Sequence, residues 1–354
     1  MSRYYKILVG PETVAPTGFT PASNNAGATW TNYIEPKNGQ PGRADLGAQM
    51  VEFDIWIYNL DEPVSLGSIK IWGPSKAQIS QAFDFNGAPI QMFAGMQPGL
   101  PLATLDYNSQ QQGLILSGQI FQAFGNWQGI NQTLDFVVMP NPGGTQDQPA
   151  NASFSWIQGQ PLGEAINSVL TSAFPNFKPP KISISKNLVL SSDEPFVYTT
   201  ITQFSQYIRR LSQNILGGNY EGVRITQQSN QFLVFDGTQA DDGTTSIQVA
   251  TRDLIGQVTW LGPYQIQFST VMRADIHIGD TVQFEPIAGL QAITNQQSAS
   301  NVRQQNTFAG KWQIVKIRHV GNSRAPDAQS WISTFQAISQ EANPEVTSAE
   351  NTTG

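Results

Sequence analysis

Apolar and polar residues alternate with a period of two along most of this chain, and that period is what a strand half-buried in a sheet demands. From Val51 to Tyr58, Val51, Phe53, Ile55 and Ile57 share one face, while Glu52, Asp54, Trp56 and Tyr58 share the other. Similar runs occupy residues 113–121, 134–139, 264–272, 311–320 and 331–338. Glycines and prolines punctuate them at the intervals expected of an antiparallel, barrel-rich protein. A chain patterned in this way is committed to a mainly β fold.

Three segments break the alternation with helical spacing. The first begins at Pro74 and runs to about Phe83, with Ser75 and Gln78 spaced as a capping box. The second starts with Pro161 at the first helical position and ends at Phe174 before Pro175, with an apolar stripe of Leu162, Ile166, Val169, Leu170 and Ala173. In the third, Thr200 and Gln203 fit a capping box and Ile201, Phe204, Ile208, Leu211 and Ile215 form the stripe. Gly217-Gly218 ends it. Two alternating segments follow, residues 222–227 and 231–235, joined by a tight Gln-Ser-Asn turn.

The expected division is therefore a first β-barrel domain over residues 1–144, a mixed α+β middle domain over 145–256, a second β-barrel domain over 257–342 and a flexible tail over 343–354. Residues 291–306 are rich in Gln, Asn and Ser and lack periodicity, the mark of a functional or mobile loop.

Composition narrows the functional classes. Charged residues make up 13% of the 354 positions, against about a quarter in an average globular domain, and uncharged amides and hydroxyls take their place. Such a surface suits packing against many neighbours with little repulsion between copies. The net charge is −7 and the basic residues are scattered singly, which speaks against a sequence-independent grip on phosphates. The absence of cysteine excludes disulfide scaffolds, thiolate zinc sites and cysteine nucleophiles. The N-terminus lacks a signal-peptide apolar region and no apolar run approaches ~20 residues, so folding in a reducing cytoplasm without stable membrane association is expected. The triplets at Asn131, Asn151 and Asn351 then carry no glycosylation meaning.

Catalytic chemistry finds little to work with. Of the two histidines, His277 shares a strand face with Asp275 in an alternating reading, which makes a metal pair conceivable without a nameable third ligand. His319 reads as a strand-end residue with a satisfied ring. The loop Asp236–Gly243 lacks the spacing and closing glutamate of a calcium loop and reads as a hairpin connection. Asp61-Glu62 and Asp193-Glu194 precede prolines and read as solvated turns rather than an acid–base pair. Gly217-Gly218 lies at the wrong end of a helix to cradle phosphate. No catalytic, cofactor-binding or metal residues are assigned, and no enzymatic activity is expected.

Two segments carry a family likeness. Residues 53–103 contain a strand ending in the turn Ile57-Tyr58-Asn59-Leu60, a short connector helix and a strand leading into Ala94-Gly95-Met96. They are followed by residues 113–124, in which Gly113, Leu114, Gly118 and Ile120 stand at the positions of a G-x-I-x-x-G-x-I strand. Residues 272–286 contain the strand start Gly279-Asp280-x-Val282, and residues 310–338 contain the His319-x-Gly321 turn with a final strand. Together these resemble baseplate hub proteins of contractile-tailed bacteriophages, a family of tail-tube-like barrels. Ala94-Gly95-Met96 departs from the family's usual A-G-Y, and the 291–306 loop is not a family signature.

The resemblance implies a structural subunit in which two tube-like barrels flank an α+β middle. Three copies would close into a pseudo-sixfold ring joining the sixfold tail tube to the threefold central spike. The partners implied are further copies of the chain as a homotrimer, the tail tube protein, the central spike protein and other baseplate (wedge) proteins, with DNA passing the lumen unbound. The location implied is the virion tail baseplate, assembled in the bacterial host cytoplasm. Two alternatives are a tail-tube or spike component of a related contractile injection system and a glycan-binding tail protein built on Trp56, Trp72 or Trp127.

Overall fold

The computed structural model describes residues 2–10, 27–38, 42–59, 67–97, 111–139, 152–175, 177–217, 220–228, 231–237, 246–262, 265–284, 308 and 310–339. In its N-terminal part the strands are β1 (Ser2–Val9), β2 (Ala28–Thr31), β3 (Tyr33–Ile34), β4 (Arg43–Ala44), β5 (Met50–Ile57), β6 (Gly67–Trp72), β7 (Pro89–Gln97), β8 (Gly113–Gln128) and β9 (Asn131–Met139). Its middle contains β10 (Ala152–Trp156), β11 (Lys178–Ser183), β12 (Glu194–Tyr198), β13 (Arg224–Gln228) and β14 (Gln231–Phe235). The rest are β15 (Ile247–Val249), β16 (Thr259–Gly262), β17 (Gln265–Val271), β18 (Thr281–Phe284), β19 (Trp312–Asn322) and β20 (Trp331–Ser339). Three helices, α1 (Lys76–Ser80), α2 (Leu162–Ala173) and α3 (Ile201–Leu216), complete a mainly β protein. No helix among the described residues is long and apolar enough to cross a membrane.

The expected alternation becomes burial. Val51, Phe53, Ile55 and Ile57 are buried while Glu52, Asp54 and Trp56 between them are not. Among the described residues, β16-β17-β20-β19-β5-β6-β9-β8-β7-β1-β2 run as neighbours in one sheet, to which β18 and β15 are added beside β19. The two flanking β regions are thus not separate units. They fuse where β19 pairs antiparallel with β5, from Ile317 opposite Ile57 to Asn322 opposite Glu52. They also share one apolar core.

Both halves of this sheet curl. In a flat sheet β2 and β9 would lie roughly 19 Å apart, at about 4.8 Å per strand. Instead the rings of Trp30 and Phe136 meet at 5.8 Å. In the other half, Phe268 of β17 and Phe284 of β18 meet at 5.0 Å across two intervening strands. The two halves are also tied to each other: Trp331 of β20 donates its indole N–H to the Gly95 carbonyl of β7 at 3.0 Å. Gly321 lies between Phe53 and Trp331, whose rings pack edge to face at 5.3 Å. A Cβ at this glycine would overlap the Phe53 ring and come within 2.8 Å of Trp331.

Residues 152–235 build an α+β body with its own core, in which Phe154, Trp156, Ile166, Leu170, Phe204, Ile208, Ile225 and Phe232 are buried together. Its sheets are β10-β12 and β11-β14-β13. Strand β15, within the residues assigned by sequence to the middle segment, pairs in parallel with β18 of the large sheet.

The helix signals act with small differences. Ser75 and Gln78 form both arms of the capping box of α1, but the helix stops at Ser80 and a 3₁₀ turn takes over at Ala82–Phe85. Pro161 sits at the N-cap of α2 rather than inside it, held extended by a bridge to Val189. At α3, Thr200 Oγ accepts from the Gln203 amide at 3.2 Å, while the Gln203 side chain reaches one residue further back, to the Thr199 amide. Gly217 ends α3 with φ +63°, a left-handed conformation that glycine adopts without steric cost.

Candidate functional site at the ends of the sheet

The ionisable residues singled out for chemistry that lie among the described residues are dispersed, and each is held by a structural partner. The segment from Arg273 to Asp280 is an extended connection and not a ladder strand. Asp275 is claimed by Arg273, which is buried and donates to both carboxylate oxygens at 2.8 and 2.6 Å. His277 lies instead beside Asp280, with Nδ1 3.4 Å from Oδ2. The metal pair conceived from the sequence is therefore replaced by two separate contacts, an Arg273–Asp275 ion pair and an Asp280 carboxylate that accepts from the His277 amide at 2.8 Å. Among the described residues no three His, Asp or Glu side chains gather as a metal site.

His319 is placed inside β19 rather than at its end, 1% exposed between the Ile55 and Ser333 positions of the neighbouring strands. Its Nδ1 lies 2.8 Å from Ser333 Oγ. Burial pushes its pKa down to about 3, with a smaller repulsive contribution from His277. A neutral ring bonded inside a core is a packing element.

The carboxylates are likewise engaged. Asp236 is buried and accepts from the Ser185 amide at 2.8 Å and the Tyr220 hydroxyl at 2.7 Å, so it pins the α+β body internally. Residues 238–243 of that loop, Asp61-Glu62 and the 291–306 loop lie outside the described residues. Asp193 caps the Gln158 amide at 2.8 Å. Glu194 accepts from the Tyr207 hydroxyl at 2.6 Å, and burial first, then this bond, pushes the Tyr207 pKa up.

The three tryptophans considered for a sugar platform do not gather. Trp56 stacks on Tyr58 and carries the Arg318 guanidinium 4.6 Å above its ring. Trp72 is covered by Lys70 at 5.6 Å and Trp127 by Lys76 at 5.2 Å. One face of each ring is occupied by a cation.

Charges on the outer face of the sheet are neutralised in place. Arg318 donates to both oxygens of Asp54 at 2.9 and 2.6 Å across the β5–β19 junction, and that bond is the main cause raising its pKa. Lys70 lies 3.3 Å from Asp135. Beyond them the face continues in hydroxyls and amides, with Ser269 bonded to Thr334 and Gln336 to Gln267. A cavity of about 500 Å³ beside β1 is lined by Arg3, Tyr5, Asp45 and Arg324 among others. Its polar groups are already engaged: Arg3 donates to the Asn322 and Asp327 carbonyls, Arg324 to that of Ala48, and Asp45 accepts from the Gly47 amide. Acid and base do not converge there.

The large sheet itself offers an interaction geometry. Among the described residues its main strand path ends at β16 on one side and β2 on the other, with β15 ending a short branch; β16 and β2 are different strands of sequence Thr-Trp-Leu-Gly and Ala-Thr-Trp-Thr without charge or proline. Strands that end a sheet usually carry lysine, proline or strong bulges that discourage pairing. Here β16 has one irregularity, between Trp260 and Gly262, and leaves Trp260 40% and Leu261 48% exposed. Trp260 is anchored against Phe308 and Trp312, so Leu261 is the open side chain of this strand. The sequence reading missed β16 because four residues are too few for a periodic signal.

No family model and no curated protein matches the sequence. Solved structures with partial likeness include a tail protein from Neisseria meningitidis MC58, with 8% identity, a TM-score of 0.49, and coverage of 96% of this chain and 97% of that one. The 43 kDa tail protein of prophage MuSo2 from Shewanella oneidensis has 8% identity, a TM-score of 0.45, and coverage of 83% and 98%. The E. coli c3393 protein, described as a type VI secretion component structurally similar to the T4 tail proteins gp27 and gp5, has 10% identity, a TM-score of 0.46, and coverage of 84% and 74%.

Proposed function

We propose that this chain is a structural hub subunit of a phage-tail baseplate, three copies of which close into a ring joining a sixfold tube to a threefold spike. The observation that carries this reading is the fusion of two curled strand modules into one sheet whose main path, among the described residues, ends in two unlike strands, β16 and β2. Contact between unlike surfaces on identical subunits is heterologous, and it closes into a ring when the rotation per subunit divides a full turn. Two curled modules per chain supply six in a trimer, which matches a sixfold tube above and a threefold spike below. The order of turn and strand motifs over residues 53–124 and 272–338 supports the same assignment.

In this reading residues 1–144 and 257–342 are the tube-like units and residues 145–256 the middle domain. The partners are the tail tube, the central spike and the wedge proteins around them, in a virion baseplate assembled in the host cytoplasm. The role is structural and non-enzymatic. It fits the engagement of the described ionisable groups in local pairs, and the neutralised outer face would let DNA slide past without sticking.

Electron microscopy of the purified full chain, alone and mixed with its tube protein, tests the proposal. The expected images are rings with three protomers and six density lobes. A monodisperse monomer that joins neither tube nor spike overturns it.

A further inference from the structure

The helices and strands of the α+β body pack on one another and not broadly on the large sheet, and its apolar core is separate from that of the sheet. Among the described residues, what joins the two is thin and mostly polar. Thr226 Oγ donates to the Tyr58 carbonyl at 2.9 Å. The Ile278 amide donates to Gln228 Oε1 at 3.0 Å. Lys181 Nζ lies 3.9 Å from Asp280 Oδ1, with the lysine 54% exposed. One apolar contact completes the joint. Phe235, at the end of β14, packs into the core of the sheet and against Gly279, where φ is +85° and a Cβ would stand 3.0 Å from the ring.

The strengths of these contacts differ in kind. A hydrogen bond released to water is exchanged rather than lost, so each contributes little net stability. An exposed ion pair adds little. Beside the Thr226–Tyr58 contact, Asn59 Oδ1 is buried with no partner among the described residues, and such an atom opposes closure. Interfaces of this composition between domains move by default.

We propose that the α+β body is a hinged unit, held against the sheet by a latch of Thr226 and Gln228 and pivoting on the Phe235–Gly279 contact. Because Thr226 and Gln228 side chains reach across to Tyr58 and Ile278, removing them penalises the docked state alone. In that state the Tyr58 carbonyl would lose its bond to Thr226 and the Ile278 amide would be left buried without Gln228, whereas in the open state the amide meets water.

The absence of native cysteine makes two labels unique. Spin labels on Val197→Cys, 73% exposed on the body, and Ile130→Cys, 98% exposed on the sheet, report the distance between the two parts by double electron–electron resonance. The expected result is a minor second population in the labelled protein that rises about tenfold in the Thr226→Val/Gln228→Leu variant. A single narrow distance, identical in both proteins, overturns the hinge.

Amide exchange of the otherwise unaltered protein supplies a second readout that needs no latch variant. The Ile278 amide should exchange at least tenfold faster than amides of the β5–β19 ladder. Equal protection at both places means that the joint opens only with global unfolding, and the proposal fails even if the double variant does not fold.

Discussion

At the scale of the residue, His319 shows how burial reverses the habits of a titratable group. Charging its ring in the core costs desolvation that a single serine contact does not offset, so its folded pKa of about 3 lies below the ordinary 6.5. Above pH 6.5 neither the folded nor the unfolded chain holds this proton, and the residue imposes no pH dependence. As the pH falls from 6.5 towards 3, the unfolded chain takes up the proton and the folded one does not, so stability declines by ~1.4 kcal/mol per pH unit. Denaturant titrations of His319→Asn, which cannot titrate, should therefore show a loss between pH 6.5 and 5 that is ~2 kcal/mol smaller than in the parent protein. Identical slopes would mean that the ring takes up its proton as readily in the fold as in the unfolded chain.

At the scale of the element, strand β19 is the structural centre, since β20 runs along one side of it while β5 and β18 share the other. Its core face must accept Phe53 and Trp331 from opposite sides, and only a residue without a side chain leaves room at position 321. Gly321→Ala is expected to destabilise the protein by ~1–3 kcal/mol through overpacking. Thermal melts should show part of that loss recovered in the Gly321→Ala/Phe53→Leu double variant. Additive losses in the double variant would place the strain elsewhere. The glycine was visible in the sequence as part of a turn signal with His319, but the ring that forbids a side chain there comes from residue 53, across the chain.

At the scale of the whole molecule, closure of the proposed ring depends on the terminal strands. A lysine placed on such a strand discourages pairing by another chain, because its charge would be buried in the new ladder. Leu261→Lys alters the open side chain of β16 and leaves Trp260 on its anchors, so the protomer should keep its fold. By sedimentation velocity it should be monomeric where the parent protein forms a trimer. A trimer that survives the lysine would move the contact away from β16.

Local chemistry determined what is legible without coordinates: the strands from their alternation, the helices from caps and apolar stripes, and the α+β character of the middle. These signals lie within a dozen neighbouring residues, and the backbone geometry that reads them is equally local. The tertiary structure alone decided that the flanking β regions fuse through β5 and β19, that Asp275 turns to Arg273 and away from His277, and that a thin polar joint separates two cores. The first and the last of these are choices between partners far apart in the chain, and the second is settled by the bends that the surrounding packing imposes on residues 273–280. Several pairings satisfy the same pattern of apolar and polar residues, and only packing in three dimensions selects one.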